Sequence, residues 1–371
     1  MDREPFITPR LSPWLDLLRA SAAFAVLAGH MVQQGIYRGP WPFPIILQQN
    51  AVIVFFVLSG VVIAHAVDRR YQRPGAYVLA RVLRIGPVAF PALAFSVLVA
   101  AFARSRGISV GDDAHGCCRS VWEGVLPAAF FLSESHRTGL WINPPWWSLC
   151  YEVWFYALFG VAHYGRGGTR IGGLLVLALI AGPNVLLLLP AWLCGVWAAR
   201  APGLRAVSIA GAWLRVAMGV LALQTQGVLA LLLFPAFVLV ARWVLGYALY
   251  APSNWVLALA IALAISGLRA LTAAGRLELG WAARPLRSLA GFSFSLYVLH
   301  WPLIGLLRAF GISAGSSPLR FLGLIALIAL VSFGYATLTE HRRDLWRALA
   351  NRLLAIGRAG LRPALRLRPA D

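Results

Sequence analysis

The sequence has no lysine, and it has little charge of either sign. All 33 basic residues are arginine, acidic residues number 13, and charged residues make up 12% of the 371 positions. A soluble domain of this length carries about 25%. That shortfall, with 60% hydrophobic residues and a mean hydropathy of +0.74, excludes an ordinary soluble domain and makes a bilayer the natural solvent. The missing lysine fits a bias toward GC-rich codons and carries no mechanism. A net charge of +20 invites nucleic acid as a partner. The arginines are scattered between apolar runs rather than gathered on one domain, which excludes that partner. Cysteine is sparse too. Cys117 and Cys118 are adjacent in a polar stretch, and Cys150 and Cys194 lie in apolar ones, so neither a disulfide framework nor a metal site is expected. No cleavable signal peptide is expected, because the first apolar run carries Asp16, Arg19 and His30. Nor does any run alternate as a membrane β-strand would.

What is present is a series of apolar runs, each of roughly the 20 residues that a spanning helix needs. They fall near 14–34, 46–67, 84–103, 146–164, 171–199, 206–222, 227–246, 254–271, 288–307 and 319–339. The expectation is an all-α integral membrane protein of about ten transmembrane helices. The fifth run is overlong and interrupted by Gly182-Pro183-Asn184, so it is one kinked helix or two short ones. With both termini cytoplasmic, 21 of the 33 arginines fall in inner segments and nine in outer loops, as the positive-inside rule requires. The largest outer loop, 104–145, holds Asp112, Asp113, His115, Glu123 and Glu134 and reads as a lid. Residues 1–341 form the membrane domain. Residues 342–371 form a basic cytoplasmic tail suited to an anionic leaflet.

Ionisable groups inside a span are costly and are functional candidates by default. Arg19 and His30 are eleven residues apart, which places them within roughly 20° of one helix face and about 16 Å apart along the axis. Asp16, one turn earlier, can pair with Arg19; a structural Arg–Asp pair beside an incidental histidine is the competing reading. Arg81 and Arg84, spaced i, i+3 at the entry to the third span, can grip phosphates or merely anchor topology. Trp146 and Trp147 suit an interfacial belt. Glu152 lies deeper, where it can orient a catalytic histidine, tune its tautomer or serve as a hydrogen-bond anchor. Tyr297 and His300 share a face, to hold substrate or simply to fill the core. Glu340-His341-Arg342-Arg343 reads as a salt-bridged helix end. His30, Glu152 and His300 fall at similar depth in the outer half, and Arg19, Arg81 and Arg84 in the inner half. That polarity suits an anionic donor entering from the cytoplasm.

These residues carry a resemblance. Leu15 to His30 resembles the Leu-Asp-Gly-Leu-Arg-Ala…His signature of the membrane-bound acyltransferase 3 family, with Leu17 in place of Gly. Phe55-Phe56-Val57-Leu58-Ser59-Gly60 is similar to its second-span motif, and Arg81 to Arg84 to its Arg-x-x-Arg element. Trp147-Ser148-Leu149 through Glu152 to Phe155-Tyr156 resembles its Trp-Ser-Leu…Glu…Phe-Tyr motif. Ser293 to Pro302 resembles its Ser-Tyr-Ser-x-Tyr-x-x-His-x-Pro motif, with Phe294 replacing the tyrosine. The resemblance implies a ten-helix domain that moves acyl groups, commonly acetyl, from acyl-CoA to sugar hydroxyls of glycans or glycosylated small molecules. Many members add an esterase-like domain; none follows the last span here, so transfer is expected within the membrane domain or with a separate periplasmic partner.

The expected protein is therefore an O-acyltransferase of the bacterial inner membrane, acting on a cell-envelope or secreted glycan. Acyl-CoA is its donor substrate, and no permanently bound cofactor or metal is expected. Arg81 and Arg84 hold the CoA phosphates, with Arg19 nearer the pantetheine or thioester. His30 is the general base and Glu152 orients or stabilises charge. Asp16, Trp147, Ser148, Tyr297 and His300 complete the substrate site. A covalent acyl-histidine is the alternative to direct transfer. The rival function is a transporter or flippase of a glycan, lipid or acyl donor. The broken segment at Gly182-Pro183 favours it, and the lack of an inverted repeat opposes it.

Overall fold

The computed structural model describes residues 5–44, 46–69, 73–108, 121–135, 138–204, 207–240 (backbone only at 236–240), 248, 250–342 and 344–352. The helices are α1 (Ser12–Gln33), α2 (Leu47–Arg69), α3 (Pro74–Ser105), the short α4 (Val121–Ala129), α5 (Trp147–Tyr164), α6 (Gly167–Arg200), α7 (Ile209–Val240), α8 (Ala251–Ala273), the short α9 (Ala283–Gly291), α10 (Ser293–Ala309) and α11 (Pro318–Leu338). No strand occurs among the described residues.

Among the described residues seven helices are long and apolar enough to cross a membrane: α1, α2, α3, α6, α7, α8 and α11. Residues 280–291 and α10 form a pair bent by 47° that makes an eighth if counted as one span. α5 falls short of that apolarity because Glu152, His163 and several aromatic residues lie along it. The chain is an all-helical, multi-pass membrane protein.

The helices differ from the apolar runs in two places, each for a local reason, and at a third they show the expected kink. The runs at 206–222 and 227–246 join as the single helix α7. Two of the polar residues between them find partners for their donors without a loop. Thr225 Oγ1 donates to the Leu221 carbonyl at 2.9 Å, and buried Gln226 donates to Ser253 Oγ and Asn254 Oδ1, each at 3.1 Å. α3 begins at Pro74, so Arg81 and Arg84 lie about two and three turns inside it rather than at its entry. α6 is kinked at Gly182, whose φ of +78° suits glycine alone. The Ala181 carbonyl at the kink accepts from Ser135 Oγ at 2.8 Å, so the broken backbone stays satisfied, as a bilayer demands.

α2 is the central strut, packed on α1, α6 and α8. Gly60 of α2 and Gly195 of α6 let the two backbones touch: a Cβ at Gly60 would collide with the Trp192 carbonyl, and one at Gly195 with that of Val57. Small residues at such crossings are how membrane helices approach closely. α10 lies against α1, α3 and α11. Glu340, read as part of a salt-bridged helix end, is turned inward and only 6% exposed. Its Oε2 accepts from Ser295 N at 3.2 Å and Ser295 Oγ at 3.0 Å. It thus caps the N-terminus of α10, where the helix dipole favours negative charge. Asp112, Asp113, His115, Cys117 and Cys118 of the expected lid, and residues 353–371 of the tail, lie outside the described residues.

Candidate active site

A cavity of about 270 Å³ opens between α1, α2, α3, α5 and α10. One end is cationic, with Arg19, Arg81 and Arg84 lining it together with Arg347 from the helical turns at 344–352. Arg81 stacks over the Tyr156 ring at 5.5 Å. Arg84 lies within electrostatic reach of Tyr156, Glu340 and Glu152, and Arg19 within reach of Arg84, Asp16 and Glu340. Guanidiniums crowded this closely repel one another, and Glu340, Glu152 and Asp16 offset part of that repulsion. Arg347 was read as part of a peripheral tail. It is a lining residue because the chain turns back under the bundle after α11.

Glu152 lies midway along the cavity. Ser59 Oγ donates to it at 2.8 Å and the Tyr156 hydroxyl donates to the same oxygen. Trp192 Nε1 in turn donates to Ser59 Oγ at 3.2 Å, and the Tyr77 hydroxyl donates to the Tyr156 carbonyl at 2.9 Å. Three helices, α2, α5 and α6, thus hold one carboxylate. Among the described residues its hydrogen-bond partners are these hydroxyls, with no histidine among them. Ser59 falls in the motif Phe55–Gly60 that carries the resemblance, yet that motif does not mark it as a carboxylate partner, and Trp192 falls in no motif.

The far end carries Ser148 and Tyr297, which also line the cavity. The Tyr297 hydroxyl donates to the Pro145 carbonyl at 2.9 Å and is 2.6 Å from Ser148 Oγ. Trp147 packs edge-on against Phe56 and Tyr151 and does not line the cavity. His30 and His300 meet just beyond this end. Nδ1 of His30 is 2.8 Å from Nε2 of His300, and Nδ1 of His300 is 2.6 Å from the Tyr297 carbonyl oxygen. The rings are parallel to within 9° with centroids 5.0 Å apart. That separation is the length of one hydrogen bond plus two ring half-widths, so the rings lie end to end. Trp301 meets the His30 ring edge-on at 5.2 Å. His300 is fully buried whereas His30 is half-buried. Glu134, in the loop before α5, does not line the cavity; burial holds its carboxyl up at about 7.

Polar residues of all five motifs therefore converge on one axial track, from arginines through a carboxylate to a histidine pair. A model of an acyltransferase domain, that of the acyltransferase 3 family, matches residues 12–339. This chain belongs to the acyltransferase 3 family. Neither the curated proteins nor the solved structures offer a match to it. The family match ends before Glu340 and Arg347, so these two lie outside the part that defines an acyltransferase 3 domain. Every residue from Arg19 to His300 on the track lies within it.

Proposed function

We propose that this acyltransferase moves an acyl group, acetyl in the simplest case, from acyl-CoA to a hydroxyl of a cell-surface or secreted glycan or glycosylated small molecule. It does so in the bacterial inner membrane, with both termini cytoplasmic. The observation that carries the proposal is the cavity's polarity, four guanidiniums at one end and the His30–His300 pair beyond the other. A volume of about 270 Å³ is small beside the roughly 300–1,000 Å³ that encloses a drug-sized ligand. It suits the narrow pantetheine arm of CoA, with the phosphates left at the arginines, where charge-assisted bonds are strongest.

The thioester then lies toward Tyr297 and the acceptor approaches half-buried His30 from its exposed side. His30 takes the proton of the acceptor hydroxyl as the oxygen attacks the thioester carbon. The carbon–sulfur bond breaks, and the thiolate takes the proton back from His30 to leave as CoA thiol. No external reagent is needed, and a separate periplasmic partner has no step to perform. The transporter reading loses its main support, because the Gly182 break is closed by Ser135 and adds nothing to the cavity's lining.

Membranes carrying this chain, given radiolabelled acetyl-CoA and a glycan fraction from the source organism, should accumulate alkali-labile label above membranes lacking it. An absence of label with acetyl-CoA and with longer short-chain acyl-CoAs would remove the donor from the account.

A further inference from the structure

The histidine pair has one arrangement of protons that satisfies every atom. The Tyr297 carbonyl has no hydrogen to give, so Nδ1 of His300, 2.6 Å away, must be its N–H donor. A neutral imidazole carries one such hydrogen, which leaves a lone pair on Nε2 of His300. Nδ1 of His30, 2.8 Å from that lone pair, must then be a donor as well. His30 is left with its lone pair on Nε2. The end-to-end ring alignment, parallel to within 9°, is what an N–H···N bond in the ring plane requires. The opposite arrangement needs either a doubly protonated His300 with 0% exposure or an abandoned bond to Tyr297. Burying a cation without a counter-charge is costly.

We infer that His300 is a positioning residue that fixes the tautomer of His30, leaving Nε2 of His30 as the atom that accepts the acceptor hydroxyl's proton. The inference rests on the reading of His30 as general base. In this arrangement His300 touches neither donor nor acceptor and acts only through His30. When Nε2 of His30 takes the proton, the new positive charge sits on a ring whose Nδ1–H is already directed at His300. His300 in turn directs its own N–H at a carbonyl dipole, so no second proton moves.

The sequence around His300 explains how it is held. Pro302 has no N–H, so the Val298 carbonyl four residues earlier loses its helical partner. Asn143 Nδ2 donates to that carbonyl at 3.1 Å and to Ser96 Oγ, also at 3.1 Å. The turn bearing His300 is thereby pinned to α3 and to the loop before α5. Trp301 braces the other partner, His30.

Two variants separate this role from a structural one. Leucine fills the space of His300 without an acceptor, and glutamine places a carbonyl oxygen near the position of Nε2. The reconstituted full chain is assayed with acetyl-CoA and the source-organism glycan fraction, and is also labelled with 15N-histidine for NMR at pH 8. His30 resonances are those lost in His30→Ala. Wild type should show an imine-type Nε2 and a pyrrole-type Nδ1 at His30. His300→Leu should lower kcat by about 10²-fold or more, toward the ~10⁴-fold that a wrong tautomer costs a serine protease, with the KM for acetyl-CoA within about two-fold and Nε2 turned pyrrole-type. His300→Gln should keep the imine-type Nε2 and recover activity to within about ten-fold of wild type. A pyrrole-type Nε2 in wild type overturns the inference whatever the variants do. So does an unchanged His30 tautomer in His300→Leu. Should His30→Ala itself transfer acyl groups at the wild-type rate, the base assignment fails, and the NMR result still decides the tautomer.

Discussion

Ser59 has the most consequential single side chain that carries no formal charge. It donates to Glu152 at 2.8 Å and accepts from Trp192 Nε1 at 3.2 Å, so it couples the cavity's carboxylate to the α2–α6 crossing. Ser59→Ala removes a donor from a carboxylate and an acceptor from an indole. That should lower stability by about 1–2 kcal/mol, read as a lower thermal midpoint in detergent, with a smaller loss in Ser59→Thr. An unchanged midpoint in the alanine variant would mean that Glu152 is held by Tyr156 alone. Glu152 itself was legible in the sequence, because a carboxylate inside a span has few bland explanations. Ser59 was not, since serine is common in membrane helices and costs little there. The His30–His300 contact was not legible either. The two residues are 270 positions apart, and only the packing of α1 on α10 brings them together.

Elements set the precision of these contacts. α2 and α6 meet backbone to backbone at Gly60 and Gly195, and Trp192 on the same stretch of α6 reaches Ser59 only because of that proximity. Gly195→Ala should force the helices apart, destabilise the protein by about 1–3 kcal/mol as overpacking does, and lower acyl transfer through the displaced Trp192–Ser59–Glu152 chain. A matching alanine at exposed Gly323 of α11, where a Cβ meets nothing within 4 Å, should change neither midpoint nor activity; equal losses at both sites would contradict the crossing argument. Hydropathy located most of the helices because apolar length is a strong signal in a bilayer. It failed where polar residues found partners inside the bundle. Gln226 looked like the end of a span and is instead a buried link from α7 to α8. Glu340 looked like part of a salt-bridged helix end and also caps α10 from inside the bundle. Such partners lie on other helices, and no periodicity within one helix reports them.

The whole molecule is a bundle with a charge gradient along its axis, and that gradient is the basis for placing the donor. Arg347 sits at the cationic mouth with a side chain 60% exposed and Asp344 3.7 Å away. An exposed ion pair is worth up to about 1 kcal/mol, so Arg347→Gln should raise the KM for acetyl-CoA by about five-fold and leave kcat nearly unchanged. The phosphate-free donor S-acetylpantetheine should not distinguish the variant from wild type; an equal loss with both donors would take Arg347 out of phosphate binding. The central claim concerns the opposite end of the gradient, where His30 acts as the base. It is tested most directly with reconstituted wild type and His30→Ala at equal abundance, measuring acetyl-CoA affinity and acyl transfer on the same preparations. The account predicts unchanged affinity and a rate lower by about 10²–10⁴-fold in the variant. Equal rates in the two proteins would contradict it.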